Sequence, residues 1–190
     1  MIHSARFTVV LDACVLYPAP VRDILLHLAN LDLYKPKWTK EIQEEWKRSL
    51  LENRPDLGAN QLDKTIRAMN KAFPDSNVSS YESLINVFRL PDNNDRHVLA
   101  AAVRCHAEVI VTYNLKDFPA RTLKAFDLEA QHPDTFISNL IDLNPETAVK
   151  AFQNQVSFLR NPPLKADQVL GHLRKAGLVS ASEKLNHLMS

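Results

Sequence analysis

Apolar and polar positions fall in short blocks along this chain, and the blocks carry two different periods. Phe7 to Leu11 is almost wholly apolar, which predicts a strand buried on both faces. Pro20 suits the first turn of a helix in which Val21, Ile24, Leu25 and Leu28 recur at three- and four-residue spacing. A short strand is expected at Leu33-Tyr34-Lys35. Thr39 then stands as the N-cap of a helix carrying Glu41, Ile42, Glu44, Glu45, Trp46, Leu50 and Leu51. Pro55 and Gly58 interrupt, and Leu62, Ile66 and Met69 mark a further helix that stops near Pro74. The stretch from Asn77 to Asn86 fits helix or strand. Asp92 to His106 predicts an alanine-rich helix, followed directly by a strand from Val109 to Thr112. A weaker strand is expected from Leu123 to Phe126, and Pro133 opens a helix containing Phe136, Ile137, Leu140 and Ile141. Strands alternating with helices predict an α/β fold, a central parallel sheet flanked by helices with right-handed crossovers.

The texture changes near residue 143. Asn144-Pro145 is a strong helix start, and Ala148, Val149, Phe152, Val156 and Leu159 line one face of the helix it opens. Asn161-Pro162-Pro163 breaks that helix. Val169, Leu170 and Leu173 mark a second, ending at Gly177, and Leu185 and Leu188 a third. Residues 1–142 therefore read as an α/β domain, and 143–190 as a small, all-helical C-terminal extension, too short to enclose a large core of its own.

Composition narrows the function classes. At 45% hydrophobic, the 190 residues can bury a substantial core, and three glycines leave no glycine-rich nucleotide loop. A net charge of +1 does not mark a general nucleic-acid binder; such a role would need a local basic surface. Cys14 and Cys105 lie beside expected core elements and read as reduced core residues, with no CxxC pair to hold zinc. No signal peptide and no 18-residue apolar span are legible, so a soluble, cytoplasmic chain without membrane contact is expected.

The candidate chemistry is acidic. Asp12 ends the first strand, as either a cap for the next turn or a site residue. Asp92 and Asp95 open the alanine-rich helix, Asp92 as N-cap and Asp95 reaching back in the manner of a capping box, with the helix N–H groups favouring its ionised form. Asp117 follows the strand after 109 by one turn, where Thr112 and Asn114 could orient it. Glu41 and Glu45 share a helix face and Glu44 does not. In a parallel sheet, strand C-termini and helix N-termini meet on one rim, so these acids should converge. Converging carboxylates repel unless positive charge is supplied. Mg²⁺ or Mn²⁺, hard ions that prefer oxygen, would supply it and would support phosphodiester hydrolysis. Asp12 followed by Ala13-Cys14 lacks the DxD pair of haloacid-dehalogenase-like phosphatases. The seven histidines show no compact ligand spacing, and His97 reads as a helix-surface residue.

Four segments in order resemble the PIN-domain ribonucleases, and among them the VapC-like toxins: Val9-Val10-Leu11-Asp12, Glu44-Glu45-Trp46, the run from Leu90 to Ala102 (LPDNNDRHVLAAA), and Val111-Thr112-Tyr113-Asn114-Leu115-Lys116-Asp117-Phe118. The similarity spans roughly residues 5 to 140. It implies a PIN-like fold and a divalent-metal-dependent endoribonuclease that is the toxin of a toxin–antitoxin pair. Catalytic acids fall on Asp12, Glu45, Asp95 and Asp117, with Asp12, Asp95 and Asp117 holding the metal and Asp92, Thr112 and Asn114 in support. Spacing alone leaves Glu41 and Glu45 equivalent; the resemblance favours Glu45. The chain departs from many relatives in having Ala13-Cys14 where they carry Thr-Asn. The resemblance also implies an RNA substrate, a cognate antitoxin protein, homodimers, and a longer subgroup that carries a C-terminal helical extension.

Phosphate contact would need bases near the acids, and Arg96, Lys116 and Lys40 are the first candidates among Arg22, Lys35, Lys37, Lys40, Lys47, Arg48, Arg96 and Lys116. Trp38 and Tyr113 could stack bases or serve the core. Two rival accounts stand beside the enzyme: a catalytically inactive PIN-like scaffold that binds protein or RNA, and a flap-type DNA nuclease, for which no helical arch is legible.

Overall fold

Val9, Val10 and Leu11 have no solvent exposure, and the strand they form is the centre of the sheet. A computed structural model describes residues 7–190. In chain order the elements are β1 (Thr8–Leu11), α1 (Ala13–Leu16), α2 (Ala19–Asn30), β2 (Lys35–Lys37), α3 (Lys40–Asn53), α4 (Ala59–Ala72), α5 (Glu82–Ile85), α6 (Arg96–Arg104), β3 (Val109–Val111), α7 (Ala120–Leu123), β4 (Glu129–Gln131), α8 (Pro133–Leu143), α9 (Pro145–Phe158), α10 (Ala166–Lys175) and α11 (Val179–Met189). The chain gathers into two compact units, each discontinuous in sequence: 7–17 with 35–131, and 18–34 with 132–190.

The first unit holds the sheet, whose strands run parallel in the order β2-β1-β3-β4. Val9 pairs with Val109 and Leu11 with Val111. The shared register brings the C-terminal ends of β1 and β3 side by side, and α6 packs on both strands. Below α6 the core is dense with small residues: Ala100, Ala101 and Ala102 are fully buried, which lets the helix backbone lie close to the sheet. Helix α3 starts where the sequence places it, because the Thr39 hydroxyl accepts the Ile42 N–H at 3.0 Å. Its inner face is Ile42, Gln43, Trp46 and Leu50, and the Trp46 indole donates to Gln43 Oε1 at 2.6 Å.

Three expectations shift. The second strand lies at Lys35–Lys37 rather than at Leu33-Tyr34-Lys35; Pro36 lacks an N–H, which an edge strand tolerates. Leu123 to Phe126 is not a strand. Pro119 leads into the helical turn α7 and a 3₁₀ turn at Lys124–Phe126, and left-handed Asp127 (φ 54°) then turns the chain into β4. The pattern there was local and apolar, whereas β4 itself (Glu129-Ala130-Gln131) is a weakly apolar edge strand that periodicity does not mark. The ambiguous stretch from 77 to 86 resolves into a bridge from Asn77 to Trp38 and the four-residue helix α5.

The second unit is helical. α2 packs on α9 and α10, and α8 on α9 and α11. Tyr34 meets Phe136 edge to face at 5.1 Å, and the Gln155 amide donates to the Pro20 carbonyl at 2.9 Å. The Asn144 side chain caps α9 by accepting the Thr147 N–H. Asp134 caps α11 from a distance in sequence, accepting the Ser180 and Ala181 N–H groups at 3.0 and 2.8 Å.

Thr39 is fully buried and begins the helix that carries Glu41 and Glu45. Thr39→Ala should lower unfolding free energy by about 1–2 kcal/mol, the upper range for loss of an N-cap, in urea titrations followed by circular dichroism.

Candidate functional site

Asp12 is the first residue beyond β1, yet its N–H still donates to the Val111 carbonyl at 3.1 Å, so its position is set by the sheet. The carboxylate is almost completely buried, with 4% exposure. Oδ1 accepts the Ala13 N–H at 2.7 Å, while Oδ2 accepts the Thr112 hydroxyl at 2.7 Å and the Cys14 thiol at 3.1 Å. Asp12 is therefore both the cap of α1 and a buried acid at the C-terminal end of a central strand. Burial raises its proton affinity; those three hydrogen bonds oppose the rise, and the charge of Glu45 adds to it. Burial, and then the charge of Asp12, push the Cys14 thiol up to about 12, so it stays protonated and donates. The Ala13-Cys14 step thus supplies two of the three donors on Asp12, a backbone N–H that any residue at 13 would offer and the Cys14 thiol. Thr112 also accepts the Asn114 N–H at 3.0 Å, which ties the loop after β3 to the same carboxylate.

Asp95 ends a 3₁₀ turn (Asn93–Asp95) in front of α6. The capping reading is right for Asp92, whose side chain accepts the Asn94 N–H at 2.8 Å. It fails for Asp95, which stands at the N-cap of α6 with helical backbone angles and whose side chain makes no capping bond. Half-buried, Asp95 has its pKa raised to about 7, first by burial and then by the charges of Asp12, Asp92 and Asp117, with His97 pulling the other way. Asp117, in the 3₁₀ turn Leu115–Asp117, is near enough to act on Asp95 through its charge.

Glu45 completes the arrangement from α3. Asp12, Glu45 and Asp95 line one open pocket of about 380 Å³, with Arg48 and Asn114 in its wall. Asp92 and Asp117 stand outside that lining. Structure also separates the three glutamates of α3. Glu44 is exposed beside Lys47, whereas Glu41 and Glu45 both face His97. His97 is buried, not on the helix surface as its sequence context suggested. Its Nε2 lies 3.1 Å from Glu45 Oε1 and its Nδ1 3.6 Å from Glu41 Oε2. Burial acts to lower the His97 pKa, but the Glu45 hydrogen bond and the charges of Glu45, Glu41 and Asp12 outweigh it, and the net shift is upward. A sequence signal existed: His97 heads an otherwise apolar run, Val98 to Ala102, on a helix buried all round, where a polar ring needs a partner.

The donor chemistry fits a divalent cation. Asp95 and Glu45 offer carboxylate oxygens to the pocket, and hard oxygen sets suit Mg²⁺ or Mn²⁺. The ligand atoms of Glu41, Glu45 and His97 lie within 4.8 Å of one another, a set that could hold a divalent metal. Among the described residues, Asp12, Asp95 and Asp117 do not close to that separation as a trio.

The bases sort by their partners. Lys47 is paired with Asp63 at 2.6 Å, and Arg96 Nε donates to the Asn93 carbonyl at 3.0 Å. Lys40 and Lys116 are exposed. Arg48, one turn beyond Glu45, lines the acidic pocket and forms no ion pair with another described residue. Trp38 is fully buried and its indole donates to Asn70 Oδ1 at 2.9 Å, so it serves the core and not base stacking. No helix among the described residues is long and apolar enough to cross a membrane.

Similarity to known proteins respects the same division of the chain. Residues 133–187 match the VapC50 C-terminal domain. Over 79 residues the chain is 46% identical to the Putative ribonuclease VapC50 of Mycobacterium tuberculosis, covering 42% of this chain and 47% of that protein, so the match spans about half of the relative's length. No solved structure matches the chain. Residues 8–116, more than half of the 190, match the PIN domain, the stretch that contains the sheet strands β1 to β3 and all three acids of the pocket. The chain belongs to the PIN-domain family.

Proposed function

We propose that this protein is a divalent-metal-dependent endoribonuclease that hydrolyses RNA phosphodiester bonds as the toxin of a toxin–antitoxin pair. The observation that carries the reading is the convergence of Asp12, Glu45 and Asp95 on one open pocket, with Asp95 raised to about 7 by burial and its acidic neighbours. Carboxylates brought together in one pocket, with proton affinity raised by burial and by like charge, are a functional-site signature. The name of the VapC50 relative supports RNA as the substrate, and the match over 133–187 supports the toxin assignment. The partners in this reading are the RNA substrate, a cognate antitoxin protein and a second copy of the chain. Chemistry belongs to residues 1–142, and 143–190 form the extension.

Asp12, Asp95 and Asp117 would hold Mg²⁺ or Mn²⁺ by closing on it from a wider separation than the Glu41, Glu45 and His97 set shows; the ion would supply Lewis-acid stabilisation of the phosphoryl oxygens and a more acidic bound water. Thr112, Cys14 and the Ala13 N–H fix the rotamer of Asp12 through both of its oxygens. Glu45, bonded to His97 through Oε1, presents its other oxygen to orient the attacking water. Asp92 and Asn114 support Asp95 and the loop after β3. Arg48 binds the phosphate beside the acids, with Arg96, Lys116 and Lys40 extending the basic contacts along the strand.

Purified protein incubated with total RNA and Mn²⁺ should yield discrete fragments that are abolished by EDTA. Asp95→Asn should reduce that cleavage by at least the roughly 10–100-fold seen when metal-site partners are removed. Intact RNA from folded, metal-supplied protein would sink the reading. Arg48→Ala should raise KM for RNA with little change in kcat, and should lessen the salt dependence of binding.

A second outcome concerns stability without metal. Asp95 is raised from an ordinary 3.8 to about 7, so the folded chain holds a proton that the unfolded chain has released. Stability is then full below the ordinary value and is lost as pH rises through about 7. Thermal melts in EDTA should show Tm falling over that window, and Asp95→Asn should flatten the fall. Added Mn²⁺ should raise Tm more at alkaline pH than at acidic pH, because there it no longer competes with the proton.

A further inference from the structure

His97 is an imidazole on a helix that is buried from His97 to Ala102, two residues after Asp95. Burying such a ring costs free energy wherever a nitrogen lacks a partner. Nε2 meets Glu45 Oε1 at 3.1 Å. Nδ1 is buried without a hydrogen bond, and the nearest carboxylate oxygen, Glu41 Oε2, is 3.6 Å away. Glu41 is itself held by the Tyr81 hydroxyl, which donates to Oε2 at 3.2 Å. The ring thus stands between two carboxylates one turn apart on α3, and it does so from the helix that carries Asp95.

We propose that His97 is a positioning residue that clamps α3 to α6 and holds the Glu45 carboxylate in place across the pocket from Asp12 and Asp95. The proposal rests on the nuclease reading above, which makes the placement of Glu45 matter. A glutamate side chain is long and rotamer-rich, and repulsion from Asp12 and Asp95 favours its swinging out to solvent. The His97 hydrogen bond opposes that motion and brings partial positive charge to the one wall of the pocket built from α3. Glu41, bonded to Tyr81, places negative charge 3.6 Å from Nδ1 on the other side of the ring. The two ring nitrogens face different carboxylates, as a bridge requires; the same three groups could also share one cation, and the calorimetry below separates the two.

Two amides separate this role from a merely structural one. The Gln side-chain nitrogen reaches the place of Nε2, and that of Asn the place of Nδ1. With a defined RNA in Mn²⁺, His97→Asn should lower kcat by about 10–100-fold with KM little changed, the range for loss of a partner outside the metal's own ligands. His97→Gln should restore most of that loss. In a Glu45→Gln background, His97→Asn should have no further effect, as expected for residues acting as one unit. Proton–nitrogen correlation spectra of the metal-free protein should show the His97 Nε2 proton shifted in Glu45→Gln. Equal losses in both amide variants, tracking their Tm, would overturn the clamp. So would an Nε2 proton that ignores Glu45→Gln, or calorimetry in which His97→Asn loses a whole bound Mn²⁺, which would make His97 a ligand. If the wild-type protein cuts no RNA, the nuclease reading fails, and the spectra still decide whether the clamp exists.

Discussion

Everything at this site depends on forcing like charges together at the C-terminal end of a parallel sheet. Asp12 is carried there by a strand whose last three residues have no solvent exposure, and Asp95 by a helix whose alanines press it against that same sheet. Neither backbone can retreat without opening the core. The repulsion is therefore met locally, in three different ways. Asp12 is surrounded by donors, Glu45 is bonded to an imidazole, and Asp95 has a pKa of about 7 in the absence of a cation. That last carboxylate is the member of the pocket with no bonded partner from the helix it precedes, and it is where added positive charge has most to stabilise.

Helix α3 joins packing to chemistry. Ile42, Trp46 and Leu50 bury one face, and the residues at the boundary of that face, Glu45 and Arg48, reach the pocket. A carboxylate and a guanidinium one turn apart give the same wall both signs of charge. The Thr39 cap sets where the helix starts and hence which residues meet the pocket. A shift of one residue in that start would turn Glu44, now exposed, toward His97.

The helical unit is assembled from pieces far apart in the chain. α2 leaves the sequence between β1 and β2 yet packs with α9 and α10, and α8 supplies the carboxylate that caps α11. The match to the VapC50 C-terminal domain starts at residue 133, the first residue of α8. Local signals point instead to Asn144-Pro145, because a helix start is written in two or three adjacent residues whereas the grouping of helices depends on which apolar faces meet.

The amino-acid sequence alone determined the alternation of strands and helices, the buried β1 and β3, the starts of α3, α8 and α9, and the place of Asp12 at the end of β1. Each of these is a short-range property: an apolar run, a capping side chain, a proline at a first turn. Tertiary structure decided the rest. It alone placed β4 at a weakly apolar edge, released Asp95 from the helix cap, and separated Glu45, which lines the pocket, from Glu41, which does not. It also buried His97 between them and set Arg48, rather than its neighbour Lys47, beside the acids. These outcomes depend on distances between residues as much as a hundred positions apart, as between Asp12 and Thr112. Spacing along a helix assigns a residue to a face, but only the packed neighbour on that face determines what the residue can bind.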